Sequence, residues 1–186
     1  MCDFNELTTI AKVCQEHGLK FHLDGARLFN ALVETNETPL DYGRIFDSIS
    51  ICISKGLGAP VGSVLIGSKE FIWKSRRIRK VYGGGMRQAG YLASACIYAL
   101  DNHVERLRDD NAKARKLEQI LLSLPYVDSV IPVQSNLVFF KLKPEMPEKT
   151  FLQKLQDQDI YAMALAPQEV RFVTHLNITD EMMQKV

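Results

Sequence analysis

Residues 47–67, DSISICISKGLGAPVGSVLIG, read as two short strands joined by a glycine-rich loop, and the fold follows from them. Ile49, Ile51 and Ile53 alternate with small polar residues, the period-two pattern of a strand with one apolar face, while Val61, Val64 and Ile66 form a second run among glycines. Lys55 stands at the close of the first run, between Ser54 and Gly56. A solvated surface position is the usual fate of a lysine. Here Gly56, Gly58, Pro60 and Gly62 make the loop tight and uncluttered, so that a bulky ring can approach its backbone closely.

Upstream, KFHLDGAR (residues 20–27) is a third short strand, ending at Asp24 and followed by Gly25, Ala26 and Arg27. Taken alone, Asp24 reads first as a helix N-cap. Before it, Asp3 with Glu6 has the spacing of a capping box, and Phe4, Leu7, Ile10, Ala11 and Cys14 follow at helical intervals up to Gly18. A helix followed by three strands implies an α/β layer, whose ligands gather at the carboxyl ends of the strands. Asp24 and Lys55 both close apolar runs there. An acid and an amine so disposed are how one large class of enzymes holds pyridoxal phosphate: the lysine carries the cofactor as an imine, and the aspartate keeps the pyridine nitrogen protonated.

Downstream, Ser68 can cap a helix through FIWKSRRIRKVY that Gly83–Gly85 stops. A long helical stretch runs from about Arg87 to Pro125, with a break near Asn102 and His103. From Tyr126 the pattern becomes strand (VDSVIPV), strand (NLVFFKL), a proline-marked turn, helix (TFLQKLQDQ), strand (VRFVTHL) and a helix that starts at Thr179 and is still running at Val186. That succession is a small α+β unit, expected over residues 125–186, behind a first domain over residues 1–124.

Composition narrows the partners. Lys and Arg total 23 against 22 acidic residues, which supplies no strong field for nucleic acid or anionic lipid. Lys74, Arg76, Arg77, Arg79 and Lys80 go round their helix rather than forming one stripe, and a solvated helix or subunit contact is favoured over nucleic acid. Cys2, Cys14, Cys52 and Cys96 have neither disulfide nor zinc spacing. No run approaches the ~20 apolar residues of a membrane span, and the start MCDFNELTT lacks a secretory pattern. A cytoplasmic location is expected, or the mitochondrial matrix if a segment lies upstream.

Four motifs in order, HLDGAR, SKGLGAPVGS, GGGMRQAG and VRFVTH, resemble the low-specificity L-threonine aldolases, within the fold type I enzymes that depend on pyridoxal phosphate. The resemblance implies an α/β, partial transferase-like large domain followed by the small α+β domain. It implies that Lys55 forms the internal aldimine and that Asp24 pairs with the pyridinium. Arg27 would lie beside the cofactor, near its phenolic oxygen or the substrate carboxylate, and Arg171 would grip that carboxylate, a task suited to a planar fork. Arg87 would meet a partner subunit's active site in a homo-oligomer, a dimer or tetramer. For His22, which shares a strand face with Asp24, a cofactor-adjacent role and a satisfied structural histidine stay equally open. His175 is a weaker candidate, and Asn136 is read as an edge or turn residue before a substrate contact.

The implied reaction is cleavage of L-threonine or L-allo-threonine, β-hydroxy-α-amino acids, to glycine and an aldehyde. The alternatives are a shortened, inactive aldolase-like chain acting as a binding or assembly partner, or another fold type I enzyme resembling serine hydroxymethyltransferases, racemases or aminotransferases. The resemblance places a phosphate-cradling loop and a ring-stacking histidine upstream of HLDGAR. Residues 1–21 offer neither, since Thr8 and Thr9 lie mid-helix and His17 at the helix end, so about half of the large domain is expected to be missing.

Overall fold

The computed structural model describes residues 1–183 and Lys185, so the expectation of a helix running at Val186 lies outside the described residues. The chain divides into two compact units, Met1–Glu105 and Arg106–Val186.

In the first unit, α1 (Phe4–Glu16) starts at Asp3, whose carboxylate accepts the N–H groups of Asn5 and Glu6 at 2.8 and 3.2 Å. Three strands follow as expected. β1 (His22–Asp24) pairs in parallel with β2 (Ser48–Cys52), and β2 pairs antiparallel with β3 (Ser63–Gly67), giving the order β1-β2-β3. Ile49, Ile51 and Ile53 are buried, whereas Val64, Leu65 and Ile66 of β3 are between 38% and 45% exposed, so the outer strand is open on both faces.

Between β1 and β2 lie two helices that periodicity alone does not announce, α2 (Leu28–Leu32) and α3 (Pro39–Ile45). α2 is too short to show a repeat. α3 does carry a signal: Thr38 and Asp41 form the reciprocal capping box, with Pro39 at the first helical turn. Ser68 caps α4 (Lys69–Val81) by accepting the N–H of Phe71 at 3.2 Å, and Gly83, at φ +81°, takes the left-handed turn that ends it. α5 (Gly90–Asn102) begins later than expected, because Gln88 sits at φ +52°, outside any helix.

The break expected near Asn102 and His103 separates α5 from α6 (Leu107–Ser123). The compact units part at this break, before α6 rather than at residue 124. The reason is packing: Ala114, Leu117 and Leu121 of α6 join Val127, Val138, Phe140, Leu142, Val170 and Phe172 in one buried cluster. β4 (Val127–Val130), β5 (Leu137–Leu142), β6 (Met163–Ala166) and β7 (Glu169–Val173) form an antiparallel sheet in the order β4-β5-β7-β6. Phe151 and Leu155 of α7 (Glu148–Gln156) close the same core. At the end, Thr179 caps α8 (Asp180–Met183), its Oγ1 accepting the N–H of Met182 at 3.2 Å.

Candidate active site

The parallel pairing of β1 and β2 sets the geometry of the first unit. Asp24 is in register with Ser50, and the next residue, Gly25, donates its N–H to the Ser50 carbonyl at 2.7 Å. A Cβ on Gly25 would stand 2.9 Å from that carbonyl oxygen, so the close approach of the two strands requires glycine here. Asp24 then turns the chain, its Oδ1 accepting the N–H of Ala26 at 3.1 Å. It does not cap α2, whose N-cap is Arg27. Asp24 Oδ2 has no hydrogen-bond partner among the described residues.

Beyond β2 the lysine loop closes on itself. Ile53 and Ser54 both donate to the Gly62 carbonyl (3.0 and 3.3 Å), Ala59 donates to Ile53 (3.2 Å), and Gly58 donates to the carbonyl of Lys55 itself (2.9 Å). Gly58 and Gly62 adopt φ +74° and +115°, values that only glycine reaches at little cost. Leu57 and Ala59 are buried beneath the loop while Lys55 is exposed, its amine without a hydrogen-bond or ion-pair partner among the described residues. Because the two strands run the same way, Asp24 and the Lys55 loop emerge at the same edge of the sheet.

The other first-unit candidates scatter. The ring of His22 is tied to β2, its Nδ1 lying 2.8 Å from Ser48 Oγ, which leaves Nε2 for any ligand. Arg27 is half-buried at the start of α2, and Arg87 is exposed in the turn between α4 and α5.

In the second unit, Arg171 occupies the middle of β7, in register with Phe139 of β5 and Met163 of β6. It alternates with buried Val170 and Phe172 and so lies on the sheet face away from the core. Its Nε is buried and has no hydrogen-bond partner among the described residues. A donor withheld from water without an acceptor is costly, and a bound carboxylate would relieve it. His175 is exposed, its Nδ1 accepting the N–H of Asn177 at 3.3 Å. Asn136, only 1% exposed, donates through Nδ2 to the Thr174 carbonyl at 2.8 Å, which makes it a structural staple of the strand ends.

A buried acid escapes composition-based reading. Asp110 is fully buried and ion-paired with Arg106; burial pushes its carboxyl above the ordinary aspartate range, and the guanidinium partly opposes that. Thr174 donates its hydroxyl to the Asp110 carbonyl at 2.7 Å, joining α6 to the Asn136 staple. The signal is positional: Asp110 stands on the stripe of Leu107, Ala114, Leu117 and Leu121, three residues after the first and four before the second.

The sequence profile of the beta-eliminating lyases matches residues 1–143. The chain belongs to the beta-eliminating lyase family. Enzymes of this family depend on pyridoxal phosphate. Among curated beta-eliminating lyase relatives, "Probable low-specificity L-threonine aldolase 2" of Arabidopsis thaliana is 41% identical over 92% of this chain and 49% of its own length. The low specificity L-threonine aldolase of Escherichia coli K12 is 38% identical over 92% of this chain and 50% of its own. This lyase chain therefore spans about half the length of the curated relatives it matches. Among solved structures, the Leishmania major threonine aldolase superposes with a TM-score of 0.80 at 24% identity, covering 98% of this chain and 54% of that one, which establishes the fold. That fold is the type I fold of pyridoxal phosphate enzymes.

The donor set fits the ring nitrogen and the aldehyde of this cofactor. Asp24 keeps one carboxylate oxygen open for a protonated ring nitrogen, and the unpaired Lys55 amine rises from a loop in which glycines replace side chains. Among the described residues no group of three or more His, Cys, Asp or Glu could hold a metal ion, and no helix is long and apolar enough to cross a membrane.

Proposed function

We propose that this chain carries the lysine- and aspartate-bearing part of a pyridoxal-phosphate-dependent carbon–carbon lyase acting on β-hydroxy-α-amino acids such as L-threonine or L-allo-threonine, releasing glycine and an aldehyde. The observation that carries the reading is the emergence of Asp24 and the Lys55 loop at the carboxyl ends of two parallel, adjacent strands. The cofactor, when bound, supplies an electron sink for the pair released as the Cα–Cβ bond breaks.

The chain's own residues do the rest. Lys55 would hold the aldehyde carbon of the cofactor through its amine; once free of it, the amine can act as a base for the β-hydroxyl proton, whose loss lets the Cα–Cβ bond break, and a proton is then returned to Cα to give glycine. Asp24 Oδ2 keeps a proton on the pyridine nitrogen, while Oδ1 stays committed to Ala26 and so fixes the carboxylate plane. Arg171 pairs with the substrate carboxylate, which gives its buried Nε an acceptor. Arg27 sits two residues past Gly25 in the same turn and serves the cofactor or the carboxylate; His22 offers Nε2 from the same strand. Arg87, exposed between α4 and α5, is the residue available to a second copy in a homo-oligomer.

The test has two arms. The chain is mixed with pyridoxal phosphate, reduced with borohydride and digested; a pyridoxyl group on the Lys55 peptide is expected, and absence of label at Lys55 overturns the cofactor reading. Acetaldehyde release from L-threonine is then measured. Labelling without release retains the cofactor site and overturns the reaction class.

A further inference from the structure

Lys55 has no side-chain support of its own, so whatever aims it must act through the loop backbone. Internal bonds close the loop, and α5 adds two contacts from outside it. His103, the C-cap of α5, places Nδ1 2.6 Å from the carbonyl oxygen of Leu57, two residues past Lys55. Cys96 places its Sγ 3.7 Å from the Val61 carbonyl oxygen, at the far end of the loop. Cys96, Ala99 and His103 are spaced three and four apart, one face of a helix, and Ala99 between them is 1% exposed. A small residue at the centre lets the helix lie close, with a donor at each end.

A carbonyl oxygen can only accept, so the hydrogen of this short contact sits on Nδ1 of His103, which fixes the tautomer of the neutral ring. Tyr98 meets the same ring edge-on at 5.5 Å between centroids, at an interplanar angle of 89°, and limits its rotation. The Leu57 carbonyl is thereby held within the turn that Gly58 N–H closes onto the Lys55 carbonyl.

We infer that His103 is a positioning residue for Lys55: through its Nδ1–H bond to the Leu57 carbonyl it orders the lysine loop and sets where the amine emerges. This rests on the proposed role of Lys55 in holding the cofactor.

The experiment uses side-chain geometry. In His103→Asn the amide Nδ2 stands close to where Nδ1 stood and can still donate, whereas in His103→Gln the donor lies nearer the Nε2 position and cannot reach the same carbonyl. Hydrogen exchange of residues 53–62, measured without cofactor, should rise about five- to tenfold in His103→Gln, the effect of losing one partly buried hydrogen bond, and stay within about twofold of the parent in His103→Asn. Borohydride-fixed labelling of Lys55 at limiting pyridoxal phosphate should follow the same order. Equal loop exchange in both variants, or loss in Asn but not in Gln, overturns the positioning role. The exchange arm does not depend on cofactor, so a parent chain that takes no label sinks the proposed function while leaving the ordering of the loop independently decided.

Discussion

The two sheets of this molecule are held by different means. In the first unit the residues at the candidate site are fixed by backbone hydrogen bonds: Gly25 to Ser50, the double donation to Gly62, and the turn from Gly58 to Lys55. The outer strand β3 leaves Val64, Leu65 and Ile66 open to solvent. In the second unit hydrophobic packing dominates, with Val138, Phe140, Leu142, Phe151, Val170 and Phe172 buried between one sheet face and two helices. The lysine loop and the core of the second unit are thus held by different forces. Mutations should separate them.

The largest effect is expected in the packed sheet. Phe140 is 3% exposed and touches Phe151 and Phe172 at ring-centroid distances of 5.7 and 5.0 Å, so Phe140→Ala should cost roughly 3–5 kcal/mol of stability, read by denaturant unfolding. Gly25→Ala should cost less, roughly 1–3 kcal/mol, by forcing its Cβ against the Ser50 carbonyl. Because it also displaces Asp24, it should weaken cofactor capture, whereas Phe140→Ala should not act on the lysine loop; a cofactor titration of both variants checks the distinction.

Asp110 sharpens the contrast through pH. Its folded-state pKa is raised by burial, so the native state holds the proton more tightly than the unfolded chain. Stability from this group is then full below the ordinary aspartate range and falls as pH rises from that range through the raised value. Asp110→Asn should flatten that part of the stability–pH curve, measured by thermal unfolding across acidic pH. The smallest stability change belongs to Lys55→Ala, an exposed residue, expected within about 0.5 kcal/mol of the parent. Yet it should abolish borohydride-fixed labelling outright. A large stability loss there would mean that the lysine is structural.

Much of this was legible in the sequence. Ile alternation located β2, glycine punctuation located the lysine loop, and Ser68 and the triple glycine bounded α4, since each depends on local rules. The misses are equally physical. β6, MALA, lacks β-branched residues and is a strand because it pairs with β7. α6 belongs with the second unit because its apolar stripe meets that unit's sheet, a pairing no local pattern encodes. No local rule marks Asp110 as buried, since charge at a helix start is usually solvated. Asp24 and Lys55 could be found from the ends of apolar runs, but His103 could not: its link to Leu57 spans 46 residues.

The open outer strand has a practical corollary for handling this protein. Residues 56–68 contain no charged side chain, and within them β3 presents consecutive apolar residues at the end of its sheet, its outer row of backbone donors and acceptors unpaired among the described residues. Edges of that kind recruit further strands, and natural proteins usually guard them with lysine, a bulge or a proline inside the strand. Here the only proline of the stretch, Pro60, precedes the strand. Concentrated solutions should therefore lose protein first by edge-to-edge association at residues 63–67, and a single lysine at position 65 is the least intrusive guard.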